Sequence, residues 1–125
     1  MSSAENPLNF DPNVLDTEVI EGLRELGGEE DPGLLMELVE MFLDDSPKRL
    51  KEMEESLVTG DLEIMRRAAH TLKSSSANMG AVLLSQICKD MEEAARNENQ
   101  DSYRSMSGRC QDAYSEFEDA LRLLS

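Results

Sequence analysis

Apolar residues recur along this chain at intervals of three and four, the spacing that lays one face of an α-helix against a core, and no stretch shows the sustained period of two that a half-buried strand requires. Behind a cap at Asp16, Val19, Leu23 and Leu26 stand at i, i+4 and i+7, and the pair Gly27 and Gly28 stops that short helix. Asp31 and Pro32 read as a new N-cap and first helical position. From Leu34 to Leu43, eight of ten residues are apolar. They wrap most of the helix circumference, so this segment is expected to be covered on two sides or to present surface to a partner. Ser46 and Pro47 repeat the start signal. That predicts a break there and a separate helix carrying Leu50, Met53 and Leu57 inward as far as Gly60.

Asp61 caps the next helix, which sets Leu62, Met65, Ala69, Leu72 and Ser76 on one face and ends near Gly80, where a left-handed C-cap costs little. A further helix over about 82–96 turns Leu84, Ile87, Cys88, Met91 and Ala95 inward, and Asn97 to Asp101 read as a loop. The last helix places Tyr103, Met106, Cys110, Ala113, Phe117, Ala120 and Leu124 at alternating three and four, a spacing suited to bundle packing. Helices joined by only a few residues pack as antiparallel neighbours. The expected fold is therefore all-α, an antiparallel up-and-down four-helix bundle with short additional N-terminal helices. A flexible segment is expected over 1–12 and the bundle over 13–125.

Length and charge narrow the function. The 125 residues suffice for one domain, and 12 Lys and Arg against 27 Asp and Glu give a net charge of −15. Such a chain repels nucleic acid and anionic membrane surfaces overall. Cys88 and Cys110 are far apart in sequence with no CxxC pairing, and there is one histidine, so no zinc site or other metal site is expected. Nothing resembles GxxxxGK[ST] or GxGxxG, which argues against nucleotide binding and against kinase activity of its own. Residues 1–12 lack a charged start followed by an apolar run, so a cytoplasmic protein with unbridged, core-facing thiols is expected. The run from Leu34 to Phe42 is interrupted by Glu37 and Glu40 and cannot span a bilayer.

The single histidine, His70, falls in the middle of the helix that follows Asp61, at roughly 130° from the mean direction of its apolar face. It is expected to face solvent. Arg66 at i−4, Lys73 at i+3, Ser74 at i+4 and Ala77 at i+7 turn the same way, so its surroundings are basic, hydroxylic and small. Residues 62–80 hold three cations (Arg66, Arg67, Lys73) and one anion (Glu63), a basic patch on an acidic protein. By position and charge alone an exposed helical histidine is an ordinary surface residue. Metal binding is disfavoured by the flanking cations, and no acid/base triad can be assembled around the ring.

The run His70-Thr71-Leu72-Lys73-Ser74-Ser75-Ser76-Ala77-Asn78-Met79-Gly80-Ala81 resembles the motif of histidine-containing phosphotransfer (HPt) domains, approximately HxLKGxxxxxGA, with His70, Leu72, Lys73, Gly80 and Ala81 matching in place. A weaker likeness covers most of the chain: an acidic apolar helix ending in MFLDDSP, the Gly60-Asp61 break, and a Cys-bearing helix after the motif. The family usually has glycine where this chain has Ser74, and it often supplies a glutamine from the following helix to orient the histidine. Glu92 lies near that place, so the glutamine role is not carried over.

The resemblance implies that His70 takes a phosphoryl group from an aspartyl phosphate on one receiver domain, that of a hybrid sensor kinase, and returns it to the aspartate of another, a response regulator, in a multistep phosphorelay. It implies a carrier with no cofactor of its own, Mg²⁺ being on the partner receiver. Lys73 and Arg66 are candidates for supporting the phosphate, Arg67 either helps or pairs with Glu63, and Ser74, Ala77 and Arg67 are candidates for the docking surface, to which Met36 or Met41 could add. Gly80 is expected to end the motif helix. With no adjoining domain the chain is expected to be a free-standing monomeric carrier. Two alternatives stand beside this: a noncatalytic acidic helical adaptor or chaperone binding a partner through the apolar 34–43 helix, and an HPt-like regulator that docks without accepting phosphate.

Overall fold

Five helices account for most of the computed structural model, which describes residues 11–124: α1 (Thr17–Gly27), α2 (Leu34–Thr59), α3 (Leu62–Asn78), α4 (Val82–Arg96) and α5 (Gln100–Arg122). No strand occurs among the described residues. Of the N-terminal segment read over 1–12, residues 1–10 lie outside the described ones. Asp11 and Pro12 open a turn in which the Asp11 carboxylate accepts from the Asn13 amide at 2.8 Å. Polar side chains start three helices by accepting a backbone N–H that the first turn leaves unpaired: Asp16 from Glu18, Asp61 from Ile64 and Asn99 from Ser102.

α2 packs on α3, α3 on α4, α4 on α5, and α5 back on α2, which closes the four-helix bundle; α1 lies against α2. The core runs through all five helices, with Leu15, Met65, Leu72, Leu84, Met91, Tyr103 and Phe117 almost fully buried. Phe42 of α2 meets Phe117 edge-on at 5.4 Å between ring centres, tying α2 to α5. Tyr103 of α5 donates its buried hydroxyl to the Met65 carbonyl at 2.9 Å, one turn ahead of His70. Cys88 and Cys110 face each other in the core as free thiols, Sγ to Sγ 3.9 Å. The Cys110 contact and burial both push the Cys88 thiol above its ordinary range.

Several local expectations give way to packing. The break at Ser46-Pro47 is absent, and α2 runs unbroken for 26 residues with Pro47 inside it. Ser46 is buried, and its hydroxyl donates back to the Phe42 carbonyl at 2.6 Å instead of accepting from the next turn, as an N-cap would. An interior proline costs about 3 kcal/mol. Burial of Val39 and Phe42 before it, and of Met53 and Ser56 after it, on one continuous face offsets that cost. Asp31-Pro32 is likewise not a helix start. The Asp31 carbonyl accepts from Leu34 in a turn, and Gly33 is the N-cap of α2. α1 buries Ile20, which the i, i+4, i+7 pattern left out, while Leu26, near the end of α1, is 74% exposed. The 97–101 loop is shorter than read, since Asn99 caps α5 and Gln100 and Asp101 are helical.

Gly80 fits its expected place just past α3, in the left-handed region at φ +81°. A Cβ there would stand 3.0 Å from the Asp16 carbonyl and 3.1 Å from the Val19 side chain. The turn is pinned beneath the start of α1 by the Asp16 amide donating to Gly80 (2.8 Å) and the Leu83 amide donating to Asn13 (2.7 Å). No helix among the described residues is long and apolar enough to cross a membrane.

Candidate functional site around His70

α3 buries Met65, Ala68, Ala69, Leu72 and Ser76 and thereby turns His70 outward. The imidazole is about half exposed, at 51%, in the middle of a helix held on two sides by α2 and α4. The ring does not hang free. Its Nδ1 lies 2.7 Å from Oε2 of Glu92, a residue of α4 that is only 2% exposed.

Glu92 gathers three partners. Its Oε1 accepts from Lys73 Nζ at 2.6 Å, and Oε2 also accepts from Arg96 at 3.1 Å. Burial opposes ionisation of Glu92, but the hydrogen bonds from Lys73 and His70, with the charges behind them, outweigh it and hold the carboxyl below the usual carboxylate range. An ionised carboxylate can only accept hydrogen bonds, so the proton of a singly protonated ring sits on Nδ1. Nε2 is then the nitrogen with a free electron pair, and it has no partner among the described residues. The arrangement is a fixed, outward-facing nitrogen nucleophile beside two cations.

The residue pattern of Hpt domains matches residues 37–122, all four helices of the bundle. The chain belongs to the Hpt domain family. Histidine phosphotransfer within phosphorelays, the chemistry of two-component signalling, is accordingly its role. Its structure is similar to that of histidine-containing phosphotransfer protein B from Pseudomonas aeruginosa PAO1, with 31% identity, 87% of this chain and 91% of that chain covered, and a TM-score of 0.80. A histidine-containing phosphotransfer protein from Medicago truncatula is 26% identical over 97% of this chain and 83% of its own, with a TM-score of 0.82. One from maize, at 23% identity over 97% of this chain and 89% of its own, shares the fold with a TM-score of 0.82. Comparison with curated proteins finds no match.

Within this Hpt domain the other residues read from the sequence fall in three groups. Lys73 is beside His70 but spends its ammonium on Glu92, with 28% of its side chain exposed. Arg66, read as a phosphate-supporting group, is joined to Glu63 at 2.9 Å, whereas the sequence suggested Arg67 for that ion pair. The i,i+3 spacing brings Arg66 onto Glu63. Arg67 instead lines a recess with Glu52, Glu55 and Ser56 of α2. Ser74 and Ala77 are exposed on the His70 face, as the helix phase predicts.

Beside them lies a groove of about 480 Å³ between α2 and the end of α3, walled by Leu38, Met41, Phe42, Ser75, Asn78 and Met79. Met41 is 65% exposed there, while Met36 packs against the core. The apolar 34–43 segment is thus covered by several neighbours and still leaves one methionine at the surface.

The sequence reading placed Glu92 near the position of the family's orienting glutamine without carrying that role over, whereas the structure puts its carboxylate on the ring, and Arg96 was not brought into the site. A signal for Glu92 was present, because it stands at i+4 from Cys88 and i−3 from Ala95, inside the apolar stripe of α4. A carboxylate in a buried stripe requires a partner, and the partner here is on α3.

Proposed function

We propose that His70 is the phosphoacceptor of this Hpt domain and that Nε2 is the atom that carries the phosphoryl group. The observation that supports this reading is the hydrogen bond from Nδ1 to the buried Glu92 carboxylate, which fixes the ring and leaves Nε2 as the nucleophile. In the forward step the Nε2 electron pair attacks phosphorus of an aspartyl phosphate on a receiver domain. The P–N bond forms, and the P–O bond breaks with its electrons returning to the aspartate carboxylate. Onward transfer is the same exchange toward a second receiver, with the electron pair returning to Nε2. Phosphoryl transfer asks mainly for in-line placement and charge neutralisation. The chain supplies the placed nitrogen and the cations, and the receiver supplies its acidic pocket and Mg²⁺.

Lys73 is a positioning residue in this account, acting through Glu92, and Ser74, Ala77 and the adjoining groove form the surface over which a receiver docks. The partners are the receiver of a hybrid sensor kinase and that of a response regulator, met by a cytoplasmic monomer. Incubation with a phosphorylated receiver tests this reading. The wild-type chain is expected to acquire acid-labile, alkali-stable label, and His70→Gln to remain folded and unlabelled. Label persisting on His70→Gln would overturn it.

A further inference from the structure

The residue under the His70 ring is a carboxylate, and this constrains the phosphorylated state as well as the free one. An amide at position 92 could turn either its oxygen or its NH₂ toward Nδ1, accepting from a protonated nitrogen or donating to a bare one. The Glu92 carboxylate, held ionised by Lys73 at 2.6 Å and Arg96 at 3.1 Å, has only acceptor atoms to offer. At 2.7 Å from Oε2, a deprotonated Nδ1 would set two electron pairs against each other beside a side chain that is 2% exposed.

From this juxtaposition we infer that Glu92 obliges the phosphorylated ring to keep its Nδ1 proton, so that the phosphoryl group is carried on a cationic imidazolium and is poised for release instead of storage. The inference rests on the reading of His70 as phosphoacceptor and specifies the regulation of that site. Breaking P–N in the protonated ring returns the electron pair to Nε2 and leaves neutral imidazole; breaking it in a deprotonated ring would expel an imidazolide anion, a far poorer leaving group. The balance needs no proton shuttle. The Nδ1 proton stays in place when phosphoryl arrives, when it leaves to a receiver, and when water takes it.

The charged groups around the ring set the sign of the effect. α4 contributes Glu92, with Arg96 on its carboxylate and Lys89 one turn before it; α3 contributes Lys73, Arg66 paired to Glu63, and Arg67. Across the other seam, α2 presents Glu52 and Glu55 to Arg67, and Asp44 and Asp45 to the groove at Ser75 and Asn78. Glu92 is the anion bonded to the ring and favours the cationic form, whereas Arg96 weakens that preference by drawing on the same oxygen.

The test is the pH profile of phosphohistidine loss from isolated, phosphorylated chain after receiver removal, read together with the ¹⁵N shift of Nδ1. Wild type is compared with Glu92→Gln and Arg96→Ala, all first shown to be folded. The midpoint at which lability falls with rising pH is expected to be lower in Glu92→Gln by about one to three pH units and higher in Arg96→Ala. The Nδ1 shift should follow the same midpoints. A merely structural role for Glu92 would alter rates without moving the profile. Equal midpoints in the three labelled chains would overturn this inference while leaving the phosphoacceptor reading intact. Absence of label on wild type, from a phosphorylated receiver and from phosphoramidate alike, would overturn both.

Discussion

Two side chains facing one another across the α3/α4 seam, His70 and Glu92, carry the proposed chemistry, and they were unequally visible in the sequence. The outward placement of His70 follows from helix phase, because five positions of α3 are apolar or small and buried and the histidine is on the opposite side. The bond from His70 to Glu92 depends on how two helices pack and spans 22 residues, so no local pattern contains it. Its stability consequence has a definite sign. A carboxyl held below its usual range stabilises the fold fully above that range and loses the contribution as pH falls through the lowered value. The difference in urea midpoint between wild type and Glu92→Gln should be largest near neutrality and shrink below about pH 4. A difference that stays constant or grows on acidification would contradict the assignment.

Ser74 belongs to the same scale. It is exposed one turn after His70, on the surface proposed to meet a receiver. Ser74→Leu should block transfer sterically without disturbing His70. Ser74→Gly should preserve or speed it, at roughly 0.5 kcal/mol in helix stability. Transfer rates from one phosphorylated receiver to the three folded chains decide this. Unchanged transfer to Ser74→Leu would move the docking face elsewhere.

At the scale of elements, α2 is where local rules and tertiary structure disagree. Ser46-Pro47 carries the chemistry of a helix start, yet the buried positions on either side share one face, and continuity keeps them together. Sequence periodicity records propensity and phase, while the continuity of a long helix is decided by what packs along it. The caps at Asp16 and Asp61 and the left-handed Gly80 were legible because each is satisfied within a few residues. Pro47 is exposed and, inside a helix, leaves the Leu43 carbonyl without its usual donor. Pro47→Ala should therefore raise the stability of the bundle by about 1–3 kcal/mol, measured by urea denaturation. No gain would mean that α2 does not hold helical geometry through position 47.

Over the whole molecule, a net charge of −15 surrounds a motif helix that is locally basic, and a closed bundle holds that helix against α2 and α4. The bundle and its N-terminal addition were readable from spacing and turn chemistry, with the helix count reduced by one in the structure. What the fold provides is a rigid frame in which one imidazole nitrogen is engaged and the other is presented. Phosphorylating the ¹⁵N-histidine-labelled chain with a receiver and reading the ³¹P–¹⁵N coupling tests this directly. The account predicts phosphorus bonded to Nε2 of His70 with the proton on Nδ1; phosphorus on Nδ1, or on a residue other than His70, would contradict it.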